Sequence, residues 1–268
     1  MHTLDDLLQL MRSLRDPEHG CPWDLQQDYA SIVPHTLEEA YEVADAIERN
    51  DSEDLKQELG DLLFQVVFYT QLSAEQKAFE FSDVVDAVVS KLLRRHPHVF
   101  PDGTLSSAGN DSLKLSEAEI KSNWEAIKQQ ERRAKTQHSI TDDVPQALPA
   151  LMRAHKLQRR VAHVGFDWSN ASDIFAKVRE ELLELEEAVA EHNKPHIEEE
   201  LGDLLFTCVN LARRLEVSPE TALNGCNKKF IRRFKHIETA AQAQGKALGE
   251  MTLNELEAGW QQAKQSGL

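Results

Sequence analysis

"QELGDLLF" at residues 57–64 returns as "EELGDLLF" at residues 199–206. Core packing accounts for the recurring leucines, but it does not call for an acid at the same two places in each copy. The repetition reaches well beyond the octapeptide. At a spacing of 142 residues, Glu38, Glu39, Glu42, Glu58 and Asp61 fall on Glu180, Glu181, Glu184, Glu200 and Asp203. Further along, "KLLRRHPH" (91–98) matches "KFIRRFKH" (229–236), and Trp124 and Lys128 match Trp260 and Lys264. The spacing shortens gradually along the chain, as it does when only loops differ in length. Two tandem repeats follow, at residues 1–137 and 138–268. The polar stretch 136–149 is read as the linker, and "PDGTLSSAGNDS" (101–112) as a loop inside the first repeat.

The elements read as helices throughout. Glycine and proline number only 11 and 9 in 268 residues, and apolar residues recur at helical spacing, as in Leu4, Leu7, Leu8, Met11 and Leu14. Capping boxes are expected at Thr36–Glu39, Ser116–Glu119 and Thr252–Glu255. Ser218 before Pro219 marks another helix start. The fold class is therefore all-α, two tandem four-helix-type bundles.

Composition narrows the function. The chain is 41% hydrophobic and 28% charged, enough to bury real cores, and its formal charge of −16 argues against nucleic acid as a partner. A small phosphorylated ligand stays compatible, because a bound cation can invert the local sign. Cys21, Cys208 and Cys226 form no CxxC pair and read as reduced packing residues. The acidic opening "MHTLDDLLQL" does not resemble a signal peptide, and no apolar run approaches a membrane span. A cytoplasmic protein is expected, with no membrane partner.

The acids then gain a geometry. Glu39 and Glu42 share one face of a helix, as do Glu58 and Asp61 on the next. A short turn around residues 49–52 makes the two helices antiparallel neighbours. Counted from Asn50, Glu42 stands level with Glu58 and Glu39 with Asp61. Around the turn 192–195, Glu184 stands level with Glu200 and Glu181 with Asp203. The rungs are about 4.5 Å apart along the axis, between helices packed about 8–10 Å apart. Two bare carboxylates about 4 Å apart repel by about 4 kcal/mol at an effective dielectric near 20, and a divalent cation removes that cost. Hard oxygen donors favour Mg²⁺, with Mn²⁺ as the alternative, over zinc or copper. Glu-x-x-Asp in place of Glu-x-x-His disfavours iron.

A single Glu-x-x-Glu is ordinarily a solvated helix face. Two level pairs kept in both repeats, each beside Leu-Leu-Phe, favour the metal reading. Leu59, Leu62 and Leu63 are assigned to the core. Gly60 and Gly202, costly inside a helix, are assigned to close helix packing or room for a ligand. Lys229, Arg232 and Arg233 lie on one helical face suited to phosphate oxygens, with surface ion pairing as the competing use. Lys177 precedes Glu181 by one turn, where the first repeat has His35, so the second repeat is the better phosphate site. Trp260 is either a base-stacking ring or a core residue.

These residues resemble the MazG nucleoside triphosphate pyrophosphohydrolases. The likeness covers essentially the whole chain and includes "GCPWD" (20–24), "LEEAYEV" (37–43), "ELGDLLFQVVF" (58–68), "RRHPHVF" (94–100), "VGFDW" (164–168) and "ELGDLLF" (200–206). The resemblance implies an all-α, Mg²⁺-dependent enzyme that splits a nucleoside triphosphate into monophosphate and pyrophosphate, as a homodimer. It implies metal ligands at Glu181, Glu184, Glu200 and Asp203, and nucleotide contacts at Lys177, Lys229, Arg233 and Trp260, with the second repeat catalytic. Glu180 joins the nucleotide set as a group able to orient water, beside the four ligands. Glu39, Glu42, Glu58 and Asp61 form a second metal site. A related phosphohydrolase of another nucleotide and a non-catalytic nucleotide- or partner-binding module are the rival readings. Base preference is not legible.

Overall fold

The computed structural model describes residues 1–109, 115–134, 139–142 and 144–268. Among them every regular element is helical, and the chain divides into two compact units, Met1–Glu131 and Arg132–Leu268. The expected boundary at 137/138, residues 136–138 and Asp143 of the linker, and residues 110–112 of the loop lie outside the described residues.

The first unit is built on a hairpin of α3 (Tyr29–Arg49) and α4 (Ser52–Glu75). Asn50 closes the turn at φ 55°, and Asp51 caps α4 by accepting from the Asp54 amide. Asparagine tolerates that left-handed conformation better than most residues. Helix α1 (Leu4–Leu14) packs on α4, with the short α2 (Pro22–Gln26) leading into α3, and α5 (Phe81–Arg95) packs on the far end of α4. The core is Met11, Ile32, Val67, Phe68 and Leu72. Helix α6 (Glu117–Ala134) is tied to α5 by Glu131, which accepts from Arg94 Nη2 at 2.6 Å and Arg95 Nη2 at 2.5 Å.

The second unit repeats the hairpin as α8 (Ala171–Ala190) and α9 (Lys194–Arg214), turned at His192 (φ 55°) and capped by Asn193. Helix α7 (Ala150–Ala162) crosses α9, and a second hairpin, α10 (Pro219–Ala243) with α11 (Leu253–Gln265), reaches α7 through α10. Ser218 and Thr252 cap α10 and α11, and Ser116 caps α6, at the expected starts.

Four expectations fail in whole or in part. Thr36 does not start a helix: α3 begins seven residues earlier at an Asp28–Ser31 capping box. The Thr36 hydroxyl instead bonds Ile32 O and the Tyr69 hydroxyl, and Pro34 is carried inside the helix. Leu59 and Leu63 are 50% and 41% exposed, because α1 and α5 cover other faces of α4. A Cβ built at Gly60 or Gly202 meets no atom within 4 Å, so close helix packing does not explain either glycine. Cys208 and Cys226 are exposed free thiols, not packing residues. No described helix is long and apolar enough to cross a membrane.

Candidate active site

In the second unit, Glu181, Glu184 and Glu200 each bring a carboxylate oxygen to within 4.8 Å of the others. The hairpin turn at His192 sets this register, placing α8 and α9 side by side with the acids on facing surfaces. Glu181 is buried, and Glu184 and Glu200 are half-buried. Asp203 lies one turn beyond Glu200 on α9, exposed and outside the three-acid group. Burial, followed by the negative charges of Glu181, Glu200 and Glu180, pushes the Glu184 carboxyl above its usual range, although Lys177 opposes the shift. A cation among these carboxylates would oppose that shift, because it favours their charged forms. The donors are all hard oxygens, which fits Mg²⁺ or Mn²⁺.

Lys177 Nζ lies 2.7 Å from Glu180 Oε1 and 2.9 Å from Glu181 Oε1. Those bonds hold its ammonium pKa well above normal. Glu200 has a partner that sequence reasoning missed: His196 Nε2 stands 3.2 Å from Glu200 Oε1, and its Nδ1 stands 3.4 Å from Glu191. The signal was present as His-x-x-x-Glu, one turn apart on α9.

The first unit gathers Glu39, Glu58 and Asp61 within the same 4.8 Å limit. Burial raises the carboxyl pKa of both Glu39 and Glu58. Among the neighbouring charges, Asp61 acts most on Glu39 and Glu42 most on Glu58. Where the second unit has Lys177, His35 Nδ1 lies 3.8 Å from Glu38. Among the described residues no ion pair joins that imidazole to Glu39, so this cluster lacks the permanent cation of its counterpart.

The basic face on α10 is divided. Lys229 and Arg232 are exposed, whereas Arg233 donates from Nε to Leu268 O at 2.7 Å. Its guanidinium lies 5.4 Å from the centroid of Trp260, which also packs 5.3 Å from Phe230. Trp260 is thus a half-buried platform under Arg233. Among the described residues no ion pair joins Lys229, Arg232 or Arg233 to the acids of α8 and α9.

Comparison with known proteins places this arrangement. The family model described as the MazG nucleotide pyrophosphohydrolase domain matches residues 27–100 and 170–238, one segment over each acid-bearing hairpin. The chain belongs to the MazG family. It is 51% identical over 268 residues to a nucleoside triphosphate pyrophosphohydrolase of Escherichia coli, covering 98% of each chain. It is 40% identical over 260 residues to the Thermotoga maritima nucleoside triphosphate pyrophosphohydrolase/pyrophosphatase MazG, covering 97% of this chain and 95% of that one. Both family segments end before α11, so Trp260 stands outside the matched residues.

Proposed function

We infer that the chain is a nucleoside triphosphate pyrophosphohydrolase whose second unit does the chemistry with a divalent ion, magnesium, held by Glu181, Glu184, Glu200 and Asp203. The meeting of three of those carboxylates within 4.8 Å, beside a permanent cation, carries this reading. Asp203, one turn beyond Glu200 on the same helix, is assigned to the set with them. The ion would supply positive charge to the polyphosphate and acidity to a water molecule.

The chain's own groups do the rest. Lys177, Lys229 and Arg232 bind phosphate oxygens, and Trp260 steadies Arg233 for the same task. Glu180 or one of the four ligands orients the attacking water and takes its proton. The water oxygen bonds to the α-phosphorus while the bond to the bridging oxygen of the β-phosphate breaks, releasing pyrophosphate and monophosphate. His196 fixes the Glu200 carboxylate for its role. The first unit, with Glu39, Glu42, Glu58 and Asp61, holds a metal without comparable turnover, because it lacks the Lys177 cation. Exposed leucines flanking the acids, among them Leu183 at 59% and Leu205 at 51%, suit a homodimer interface. A cytoplasmic location agrees with the free thiols.

The test is a panel of nucleoside triphosphates with Mg²⁺, with products identified. Monophosphate plus pyrophosphate supports the reading, and orthophosphate refutes it. Glu200→Gln should lower kcat by about 10²–10³-fold or more with an unchanged circular dichroism spectrum, whereas Glu58→Gln should retain most of the activity.

A further inference from the structure

The basic face of α10 has a counterpart on α5. Lys91, Arg94 and Arg95 hold the places in the first repeat that Lys229, Arg232 and Arg233 hold in the second. Arg94 and Arg95 follow Lys91 by three and four residues, so all three share one helical face. Trp124 and Lys128 of α6 likewise match Trp260 and Lys264 of α11. The capping residues of these two helices, Ser116 and Thr252, keep the same spacing, which fixes the alignment.

The two faces differ in what they hold. Arg94 donates from Nε at 2.9 Å and from Nη2 at 2.6 Å to Glu131 Oε1. Arg95 donates from Nη2 at 2.5 Å to Glu131 Oε2 and from Nε at 3.4 Å to Oε1. Both guanidiniums thus turn the same Nε–Nη2 edge onto one carboxylate, the edge that grips paired oxygens bidentately. The side chains of Glu131 and Arg95 are only 20% and 22% exposed, so water competes less here than at an ordinary surface pair.

The second repeat leaves that place open. The residue that corresponds to Glu131 is Gly267, which has no side chain to offer. Lys229 and Arg232 are exposed there, and the Arg233 guanidinium lies against Trp260. In the first unit the Trp124 ring carries Lys128 instead, with Nζ 4.3 Å from its centroid. One arginine would suffice to tie α6 to α5. Two converging guanidiniums carry two positive charges against one negative. A terminal phosphate, with about two negative charges and three acceptor oxygens, balances them better than a carboxylate does.

We propose that Arg94 and Arg95 form a polyphosphate site of the first unit that Glu131 holds shut, its carboxylate standing where a phosphate would sit. The ligand is the phosphate chain of a nucleoside triphosphate or of an inorganic polyphosphate. Lys91, exposed one turn before Arg94 on the same face, adds a third positive charge. An entering phosphate displaces the carboxylate and releases α6 from α5. This rests on the reading of Lys229, Arg232 and Arg233 as phosphate-binding groups. It adds to that reading a side chain, Glu131, that makes the anion faces of the two repeats unequal, as Lys177 and His35 make their acid clusters unequal.

The full-length protein is titrated calorimetrically in metal-free buffer with inorganic tripolyphosphate and, in parallel, with a nucleoside triphosphate. A Lys229→Ala/Arg232→Ala variant removes the anion face of the second unit, and Glu131→Gln is then added to it. The added change should tighten tripolyphosphate binding at least tenfold, and Arg94→Ala with Arg95→Ala should abolish that gain. Equal gains for the two ligands support the phosphate chain alone as the ligand, and a larger gain for the nucleotide supports a nucleotide site. A folded Glu131→Gln protein that binds no more tightly overturns the proposal, and so does a gain that survives loss of both arginines. If Glu131→Gln does not fold, hydrogen exchange on the wild type decides. Excess tripolyphosphate should speed amide exchange in α6, and unchanged exchange overturns the proposal. If Lys229→Ala/Arg232→Ala keeps the wild-type KM for nucleoside triphosphates in Mg²⁺, the phosphate reading of the second unit fails instead, while the Glu131 titrations still decide the first-unit site.

Discussion

Lys177 bridges Glu180 and Glu181 from one turn away, with the Glu181 carboxylate buried and its oxygen 2.9 Å from the ammonium. The lysine therefore occupies part of the charge that a metal ion would otherwise satisfy. Its removal should act in opposite directions on two ligands. Lys177→Gln should bind Mn²⁺ several-fold more tightly and show a KM for nucleoside triphosphates raised about tenfold, the worth of one lost charge-assisted contact. Parallel metal titrations and steady-state kinetics check both signs.

Metal stoichiometry separates the two units. The wild type should bind Mn²⁺ at both acid clusters. Glu58→Gln should remove one class of site and leave the other, and Glu200→Gln should do the reverse.

Gly202 offers a stability prediction. It lies inside α9 with open space where a Cβ would stand. Gly202→Ala should stabilise the protein by up to about 1 kcal/mol from helix propensity, read as a rise in Tm. At Gly259 a Cβ would stand 3.1 Å from Ile237 Cγ1, and Ile237 is itself buried. Gly259→Val should therefore cost about 1–3 kcal/mol through overpacking between α10 and α11.

The clamp between α5 and α6 should show in the acid limb of stability. Arg95 and Arg94 hold the Glu131 carboxyl down to about 2. A depressed carboxyl pKa stabilises the folded state above the ordinary glutamate value of 4.5, and that contribution is lost as pH falls from there toward 2. Glu131→Gln should be less stable than the wild type at neutral pH, and the two should converge on acidification. Chemical denaturation across that range, at low salt, checks the prediction.

The hairpins and their facing acids could be counted from the sequence because a turn of two or three residues leaves little freedom in register. Other features lay beyond such counting. Thr36 carried the pattern of a helix start, but the stronger Asp28–Ser31 box upstream had already begun the helix. Leu59 and Leu63 looked like core because periodicity reports that a face is apolar, not what covers it. Asp203 stands level with Glu181 by position, yet it lies outside the three acids that meet, while Lys177 bonds the Glu181 carboxylate. His196 was passed over because its pairing with Glu200 needs the actual rotamers. A pocket beside Trp168 needed four segments brought together, Thr141, α7, residues 166–168 and α9, a convergence that no local spacing records.

The proposed ligand set of the second unit lies wholly within residues 181–203, on two helices joined by a three-residue connection. Its contacts are local in the chain, and local contacts form quickly. The acid-bearing hairpin can therefore assemble early, before α10 and α11 have docked. An ion present during synthesis would then act as a folding template as well as a reagent, and its absence would slow the maturation of that half alone.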